Sequence, residues 1–228
     1  MRPIEKGVAP NTYTDYRDAI ADLEDRLGRF CSYCERPLKI GLAVEHVAPK
    51  ELRPDLALVW ENFLLACLNC NSVKGEKVVS IDGVLWPDIH NTLLALAYLK
   101  GGFVKVAKGL HSVVDRRARA LIDLVGLDRH KAKGWPKPAR RDQRWRDREE
   151  AWAAAELCRD FFESSGGSDK ALGLVVVTAK GYGFFSVWFF VFASHSLVKR
   201  ALIDAFPSTA ATCFNSSGAP IRRPGSVL

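Results

Sequence analysis

Apolar side chains recur at helical spacing near the start of the chain. Residues 14–28 place them on one face, and Gly28 follows the last of them. The spacing predicts an amphipathic helix over 14–28, with Thr14 as a candidate N-terminal cap and Gly28 as its stop. The apolar residues on this face are Tyr16, Ile20, Leu23 and Leu27.

The next fifty residues have no long period. Residues 42–47 are strand-like, 63–66 form a second short apolar run, and the stretch from 68 to 77 can begin a helix. Residues 30–78 also hold four of the six cysteines. Short elements with clustered cysteines are typical of a small unit in which a metal ion replaces a large hydrophobic core.

Beyond Trp86 the pattern becomes mostly helical. A brief strand is expected over 103–107. The apolar run 184–193 is predicted to be a buried core helix. A membrane span is a poorer interpretation, because glycine and polar residues interrupt the uncharged stretch around this run. Helices are predicted over 91–100, 112–125, 142–164, 169–179, 184–193 and 196–206. The expected fold is α+β and mostly helical, with a metal-organised ββα unit followed by a helical half. We divide it into a domain at 1–80 and a second at 81–228.

Composition narrows the class of protein. The chain has 228 residues, 48% hydrophobic and 26% charged, which excludes wholesale disorder, collagen and coiled coil. Its net charge of +7 favours an anionic partner, nucleic acid first. The first residues lack the apolar segment of a secretory signal. We therefore expect a cytoplasmic protein with no membrane partner.

Most of the positive charge lies in one segment. Residues 129–148 carry nine basic and two acidic side chains, together with Trp135 and Trp145. One interpretation is a solvated loop and helix face. The other is a strip that follows a phosphate backbone, with tryptophans available for stacking on bases. The sequence leaves both open.

Two Cys-x2-Cys pairs are separated by 32 residues. Four thiolates in this arrangement can close a tetrahedral structural zinc site. A thioredoxin-like redox pair is a weaker interpretation, because there are two pairs and no βαβ pattern around them. The four predicted zinc ligands are Cys31, Cys34, Cys67 and Cys70, whereas Cys158 and Cys213 stand alone.

Polar residues suited to phosphodiester hydrolysis lie between and just after these pairs. In order, the motif is Cys-x2-Cys, Glu45-His46, Asn62, Cys-x2-Cys-Asn71 and Lys74. The arrangement over residues 31–74 resembles the HNH (ββα-metal) endonuclease family, in its four-cysteine zinc form.

The resemblance implies roles for four residues. His46, whose unperturbed pKa is near 6.5, can take a proton from water at neutral pH. Glu45 and Asn71 would hold one divalent cation, Mg²⁺ or Mn²⁺, through oxygen donors. Asn62 would hold the hairpin loop and so orient His46.

Three lysines are candidate phosphate contacts. Lys74 is the first of them, and Lys50 and Lys77 are weaker candidates of the same kind. Each could equally be a solvated lysine, as long charged side chains usually are.

Two features of Glu45 bear on the geometry. Neighbouring residues of a regular strand point to opposite faces, which argues against a simple site shared by Glu45 and His46. The family resemblance implies a hairpin that is distorted here. Many relatives carry Asp or His where this chain has Glu45. Glutamate is one methylene longer but keeps the oxygen donor.

A narrower resemblance covers most of the chain. It is to the PtuB-type HNH proteins of Septu and retron anti-phage systems. This implies a PtuA-type ATPase partner, a helical C-terminal half that docks to it and, in the retron setting, a reverse transcriptase with its non-coding RNA/DNA. The segments that carry this resemblance include LGRFCSYCERPL, AVEHVAPK, WENFLLACLNCNSVKG and LWPDIHNT.

The leading hypothesis is a metal-dependent HNH endonuclease of anti-phage defence. The alternative is a non-catalytic subunit, stabilised by structural zinc, that binds nucleic acid or serves as a scaffold. A third hypothesis is a toxin that acts alone. The sequence does not distinguish DNA from RNA as substrate, because contacts to the phosphate backbone are blind to base sequence.

Overall fold

A computed structural model describes residues 1–38, 40–77 and 80–228. The fold is α+β and mostly helical, with two small sheets, as the sequence predicts. Within the described ranges the elements, in chain order, are α1 (Ala19–Leu27), β1 (Leu42–His46), β2 (Phe63–Cys67), α2 (Leu68–Lys74), β3 (Leu96–Leu99), β4 (Phe103–Val106), α3 (Ser112–Val125), α4 (Arg144–Ser164), α5 (Asp169–Tyr182), α6 (Phe185–Val191) and α7 (Ser196–Ala205).

A ββα unit forms where the cysteines cluster. Strands β1 and β2 pair antiparallel, from Leu42 opposite Cys67 to His46 opposite Phe63. Helix α2 begins directly after β2. The pairing is one-to-one over these five residue pairs, so the distortion that the family resemblance implied is absent from the register of these strands.

The first predicted helix is confirmed, with a later start. Asp15, rather than Thr14, caps the turn that precedes the helix, because its side chain accepts a hydrogen bond from the backbone N–H of Arg17 (2.9 Å). Asp18, directly before α1, makes no side-chain capping hydrogen bond. A short 3-10 turn at Tyr16–Asp18 then leads into α1. Gly28 ends the helix with a φ of 70°, a value that glycine adopts without strain.

The helix predicted over 91–100 is wrong. The chain there makes a 3-10 turn at Thr92–Leu94 and then strand β3, which pairs with β4 around Gly101 and Gly102. Leucine and alanine favour a helix locally, but cross-strand pairing overrides this weak preference. A side-chain carbon at Gly102 would lie 2.0 Å from the carbonyl oxygen of Trp145, so only glycine fits this turn.

The remaining helices are confirmed. Helix α3 has the predicted bounds, α4 begins at Arg144 rather than 142, and α5 extends to Tyr182. Helix α6 is almost entirely buried, as expected for a core helix. No helix in the described parts of the chain is both long and apolar enough to cross a membrane.

Two hydrophobic clusters hold these elements together. The larger one contains residues from both sides of position 80, such as Leu65 of β2 and Leu121 of α3. The second lies among α4 to α7 around Trp188. The ββα unit therefore packs directly on later elements, while the division into domains at 1–80 and 81–228 stays a prediction.

Glu35 fastens the first cysteine pair to α6. Its buried carboxylate accepts hydrogen bonds from the backbone N–H (3.0 Å) and the hydroxyl (2.7 Å) of Ser186. Its backbone carbonyl accepts from the N–H of Phe184 (2.9 Å). Because Glu35 directly follows Cys34, these hydrogen bonds hold the first cysteine pair against α6.

Candidate active site and four-cysteine centre

The four predicted zinc ligands come together. The sulfur atoms of Cys31, Cys34, Cys67 and Cys70 all lie within 4.8 Å of one another, and all four residues are buried. Cys34 Sγ and Cys67 Sγ are 3.7 Å apart. Four sulfurs bound to one ion at about 2.3 Å are roughly 3.8 Å apart in a tetrahedron. The cluster therefore fits a structural zinc ion.

A buried arginine contacts this centre from α4. The guanidinium of Arg144 donates to Cys70 Sγ (3.1 Å) and to the carbonyl oxygen of Val125 (2.9 Å). It also forms an ion pair with Asp142 (2.6 Å). A cation beside a thiolate offsets part of the negative charge that four cysteine ligands would place in the protein interior.

Glu45 and Lys74 form a buried ion pair at the end of β1. Lys74 Nζ lies 2.6 Å from Glu45 Oε1, with both side chains only 2% exposed. The same ammonium donates to the carbonyl oxygen of His46 (2.6 Å). Burial raises the pKa of Glu45 to about 7, against the opposing effect of Lys74. Lys74 thus anchors α2 to the end of β1.

His46 is held by one backbone contact and two aromatic rings. Its Nε2 lies 3.0 Å from the carbonyl oxygen of Ala57. The ring packs edge-on against Tyr16 and Phe63, with centroid distances of 5.0 and 5.3 Å. Since a carbonyl only accepts, Nε2 carries the proton and Nδ1 is left as an acceptor. Burial lowers the pKa of His46, which favours the neutral imidazole.

Asn62 closes the loop that carries Ala57. Its side-chain oxygen accepts from the N–H of Ala48 (2.7 Å), and its side-chain amide donates to the carbonyl oxygens of Ala48 (3.0 Å) and Leu56 (3.1 Å). Leu56 directly precedes Ala57, whose carbonyl oxygen contacts His46. The geometry therefore suits a residue that positions His46 through the loop.

One cavity of about 220 Å³ is lined by three of the four predicted catalytic residues, all but Asn62. Its walls include Glu45, His46, Asn71, Lys74 and Lys50. Asn71 is half-buried on the first turns of α2. A carboxylate and an amide oxygen beside an imidazole are the donors that Mg²⁺ and Mn²⁺ prefer. The residues present therefore fit a divalent cation.

The candidate lysines differ in their surroundings. Lys50 is 37% exposed, and its ammonium lies 4.4 Å from the centre of the Tyr16 ring. Lys77 donates to the carbonyl oxygens of Asp123 (3.2 Å) and Leu124 (3.0 Å), at the C-terminal end of α3. The ammonium of Lys74 is paired with the carboxylate of Glu45. Phosphate contact by these lysines stays a prediction.

The sequence interpretation missed two contributors to the site and its metal centre. Tyr16, from the turn before α1, lines the cavity and packs on His46. Arg144 reaches Cys70 from 74 positions later in the chain. No local pattern marks either residue, because each contact depends on how distant segments pack.

Replacing Asn62 by alanine is expected to loosen the loop between β1 and β2. The change leaves the N–H and carbonyl of buried Ala48 without their side-chain partner, and removes one of the two donors to the carbonyl of Leu56, which keeps the N–H of Val59. We expect the free energy of unfolding to fall by about 2–4 kcal/mol, measured by urea denaturation. Hydrogen exchange over residues 47–57 should accelerate.

The matched control is Asn11→Ala. Asn11 is exposed and makes one side-chain hydrogen bond, to Asp22 (3.0 Å). Its loss should change the free energy of unfolding by less than about 0.5 kcal/mol. Equal stability of the two variants would contradict the structural role of Asn62.

Comparison with known proteins agrees with this geometry. Residues 31–77 match the family described as HNH endonuclease. The chain is 34% identical over 62 residues to the Septu protein PtuB of Bacillus thuringiensis. This match covers 26% of the chain and 24% of that relative. The similarity to this relative is thus shared over about a quarter of each protein.

Proposed function

We propose that this chain, whose residues 31–77 form an HNH endonuclease domain, hydrolyses phosphodiester bonds of nucleic acid in a metal-dependent reaction, as part of anti-phage defence. The observation that carries the proposal is the single cavity lined by Glu45, His46 and Asn71. A scaffold that only binds nucleic acid has no need for this set of groups at one place.

His46 acts as the general base. The carbonyl of Ala57 holds the ring through Nε2, and the free acceptor Nδ1 takes a proton from the attacking water. Burial keeps the imidazole neutral by lowering its pKa, so the base is competent at neutral pH. Asn62 supports this arrangement by fixing the loop next to Ala57.

Glu45 and Asn71 would hold the divalent cation, Mg²⁺ or Mn²⁺. When bound, such an ion neutralises phosphate charge and stabilises the leaving oxygen. Lys74 keeps the Glu45 carboxylate at the cavity wall through its ion pair. The four-cysteine cluster, which we assign to structural Zn²⁺, fixes the start of α2 and with it the position of Asn71.

The proposed biological setting is inferred from the similarity to this relative. Similarity to a Septu protein, with the broader resemblance in the sequence, supports a defence role together with a PtuA-type ATPase. A reverse transcriptase partner stays a prediction from the retron resemblance. The helical half after residue 80 is the part we assign to docking on the ATPase.

Removal of divalent cations tests the catalytic proposal. The full chain, alone and with the co-expressed ATPase, is incubated with plasmid DNA and with tRNA. Cleavage should fall at least about tenfold after treatment with a chelator and return with Mg²⁺ or Mn²⁺ but not with Zn²⁺. Zinc content, measured by elemental analysis on the same samples, should stay constant because the four sulfurs enclose the structural ion.

Two results would contradict the proposal of metal-dependent catalysis. One is tight nucleic-acid binding without turnover under every metal and partner condition, which supports a non-catalytic binding subunit. The other is cleavage that persists after chelation. Stable co-purification with the ATPase argues against a toxin that acts alone.

A further inference from the structure

A second cavity lies outside the active site, against the basic segment 129–148. Its volume is about 360 Å³, within the range of sites for small organic ligands. One wall comes from the basic segment itself, through Gly134, Trp135 and Pro136, and the facing wall comes from β4 and α3. The structure thus gives the segment a concave binding surface as well as charge.

Trp135 is the main apolar group of this cavity. It is half-buried and packs on Phe103, with ring centroids 4.9 Å apart. Support from one neighbour fixes the indole, so that it can offer a stacking surface without a large loss of side-chain freedom. Stacking on tryptophan is open to every base, but only when the base is unpaired.

The polar groups of the cavity favour a base over a phosphate. Asp123 and Asp128 line it, and carboxylates accept hydrogen bonds from base N–H groups but repel phosphate. Arg119, on the same wall, is paired with Asp115 (2.7 Å). Lys105 completes the charged lining. The interior is therefore close to charge balance.

The phosphate contacts lie outside the cavity. Lys131, Lys133, Arg140 and Arg141 are exposed, and Lys133 directly precedes the Gly134–Pro136 wall in sequence. Arg144 and Arg148 point into the protein, where they bond to backbone carbonyls. The basic segment is thus divided into a buried structural part and an exposed part available to a backbone.

The second cavity and the active-site cavity adjoin the same lysine. Gly75 and Glu76 line the active-site cavity. The next residue, Lys77, donates to the carbonyl of Asp123 (3.2 Å), and Asp123 lines the second cavity. A strand that occupied both would pass over Lys77.

We propose that the cavity walled by Trp135 binds one unpaired base of a single-stranded nucleic acid whose backbone follows the exposed lysines and arginines of 129–148 toward the active site. The direction toward the active site rests on the proposed nuclease function. The binding itself does not, and it is measured without cleavage.

The test uses the full chain carrying His46→Ala, so that the probe is not cut. The probe is a fluorescent single strand of about 12 nucleotides, a length within the site sizes of single-strand binders, and its duplex serves for comparison. Trp135→Leu should weaken single-strand binding about 5- to 150-fold and leave duplex binding nearly unchanged. Trp135→Phe, which keeps an aromatic ring, should recover most of the affinity.

Charge variants test the backbone path. Replacing Lys133 and Arg140 by alanine should reduce the salt dependence of single-strand binding by roughly 1.4 in the log–log slope, for two lost phosphate contacts. The matched control replaces Lys170 and Lys180, two exposed lysines of α5, and should leave the slope unchanged. Ultraviolet crosslinking of a bromouridine-labelled strand should mark a peptide that contains Trp135.

Three results would overturn the proposal: unchanged single-strand affinity in a folded Trp135→Leu protein, crosslinks only outside 129–148, or a mononucleotide that competes as well as the strand. These results are separable from failure of the nuclease proposal. Intact cleavage beside unchanged single-strand binding by Trp135→Leu refutes only the second site, whereas Trp135-dependent binding without cleavage refutes only the nuclease.

Discussion

Replacing Cys67 by serine is expected to abolish zinc binding and to lower the melting temperature by about 10–20 °C, a shift that corresponds to several kcal/mol for a chain of this size. Cys67 ends β2, and its sulfur accepts the backbone N–H of Cys70 (3.4 Å) at the first turn of α2. Cys67 is therefore both a predicted zinc ligand and the N-terminal cap of α2.

The size of this effect follows from what a structural zinc ion contributes. Apparent zinc-binding free energies in small peptides are about 10–16 kcal/mol, as large as the total stability of many domains, about 5–15 kcal/mol. Here the larger hydrophobic cluster, which includes Phe63 and Leu65, supports the same unit. We therefore expect severe destabilisation of the ββα unit rather than unfolding of the whole chain.

The measurements are zinc stoichiometry by elemental analysis and thermal unfolding by circular dichroism. Cys158→Ser and Cys213→Ser are matched controls, because both cysteines are buried but lie outside the cluster. They should keep the zinc ion of the parent protein. A Cys67→Ser protein that retains zinc and melts with the parent would refute the assignment of the cluster.

The extent to which sequence predicts this structure depends on the range of the interactions. Helix α3 has its predicted bounds because its apolar spacing and its terminal Gly126 are local signals. The cysteine cluster was equally readable, since ligand spacing reflects coordination chemistry rather than packing. Strand β3 was not, because the pairing of Leu96–Leu99 with β4 overrides its local helix preference.

The residues of the candidate active site also differ in how far the sequence predicts their contacts. Glu45, His46 and Asn71 of the motif line one cavity, but the motif did not predict how Lys74 is used. A lysine on a short helix usually extends into solvent, whereas this one is 2% exposed and paired with Glu45. The burial of Lys74 depends on how closely α2 packs against β1, and the local sequence does not determine this packing. The contact of Arg144 with Cys70 could not be predicted from the sequence for the same reason.

The buried pair has a consequence for the proposed metal site. Lys74 places one positive charge 2.6 Å from the Glu45 carboxylate, which is also the proposed ligand of a divalent cation. Removal of one partner from a buried pair costs about 3–5 kcal/mol, because the other charge is left uncompensated. Variants of Glu45 or Lys74 therefore perturb folding as well as chemistry, and His46 is the better position for testing catalysis.

Replacing His46 by alanine is expected to reduce the rate of nucleic-acid cleavage by about 100- to 10,000-fold, the usual contribution of a positioned general base. The imidazole is neutral, its Nε2 is occupied by the carbonyl of Ala57, and Nδ1 is the acceptor that remains. Alanine removes this acceptor and leaves the rest of the cavity wall in place.

The measurement is the single-turnover cleavage rate with saturating Mg²⁺, together with zinc content and the melting temperature of each protein. His111→Ala is the matched control, since His111 is exposed, directly precedes α3 and lines neither the active-site cavity nor the second cavity. It should cleave at the parent rate. Because His46 also packs against Phe63, His46→Gln is measured beside it: a folded glutamine variant that keeps zinc but cleaves as slowly as alanine assigns the loss to the missing base. Equal cleavage by His46→Ala and the parent would remove His46 from the reaction.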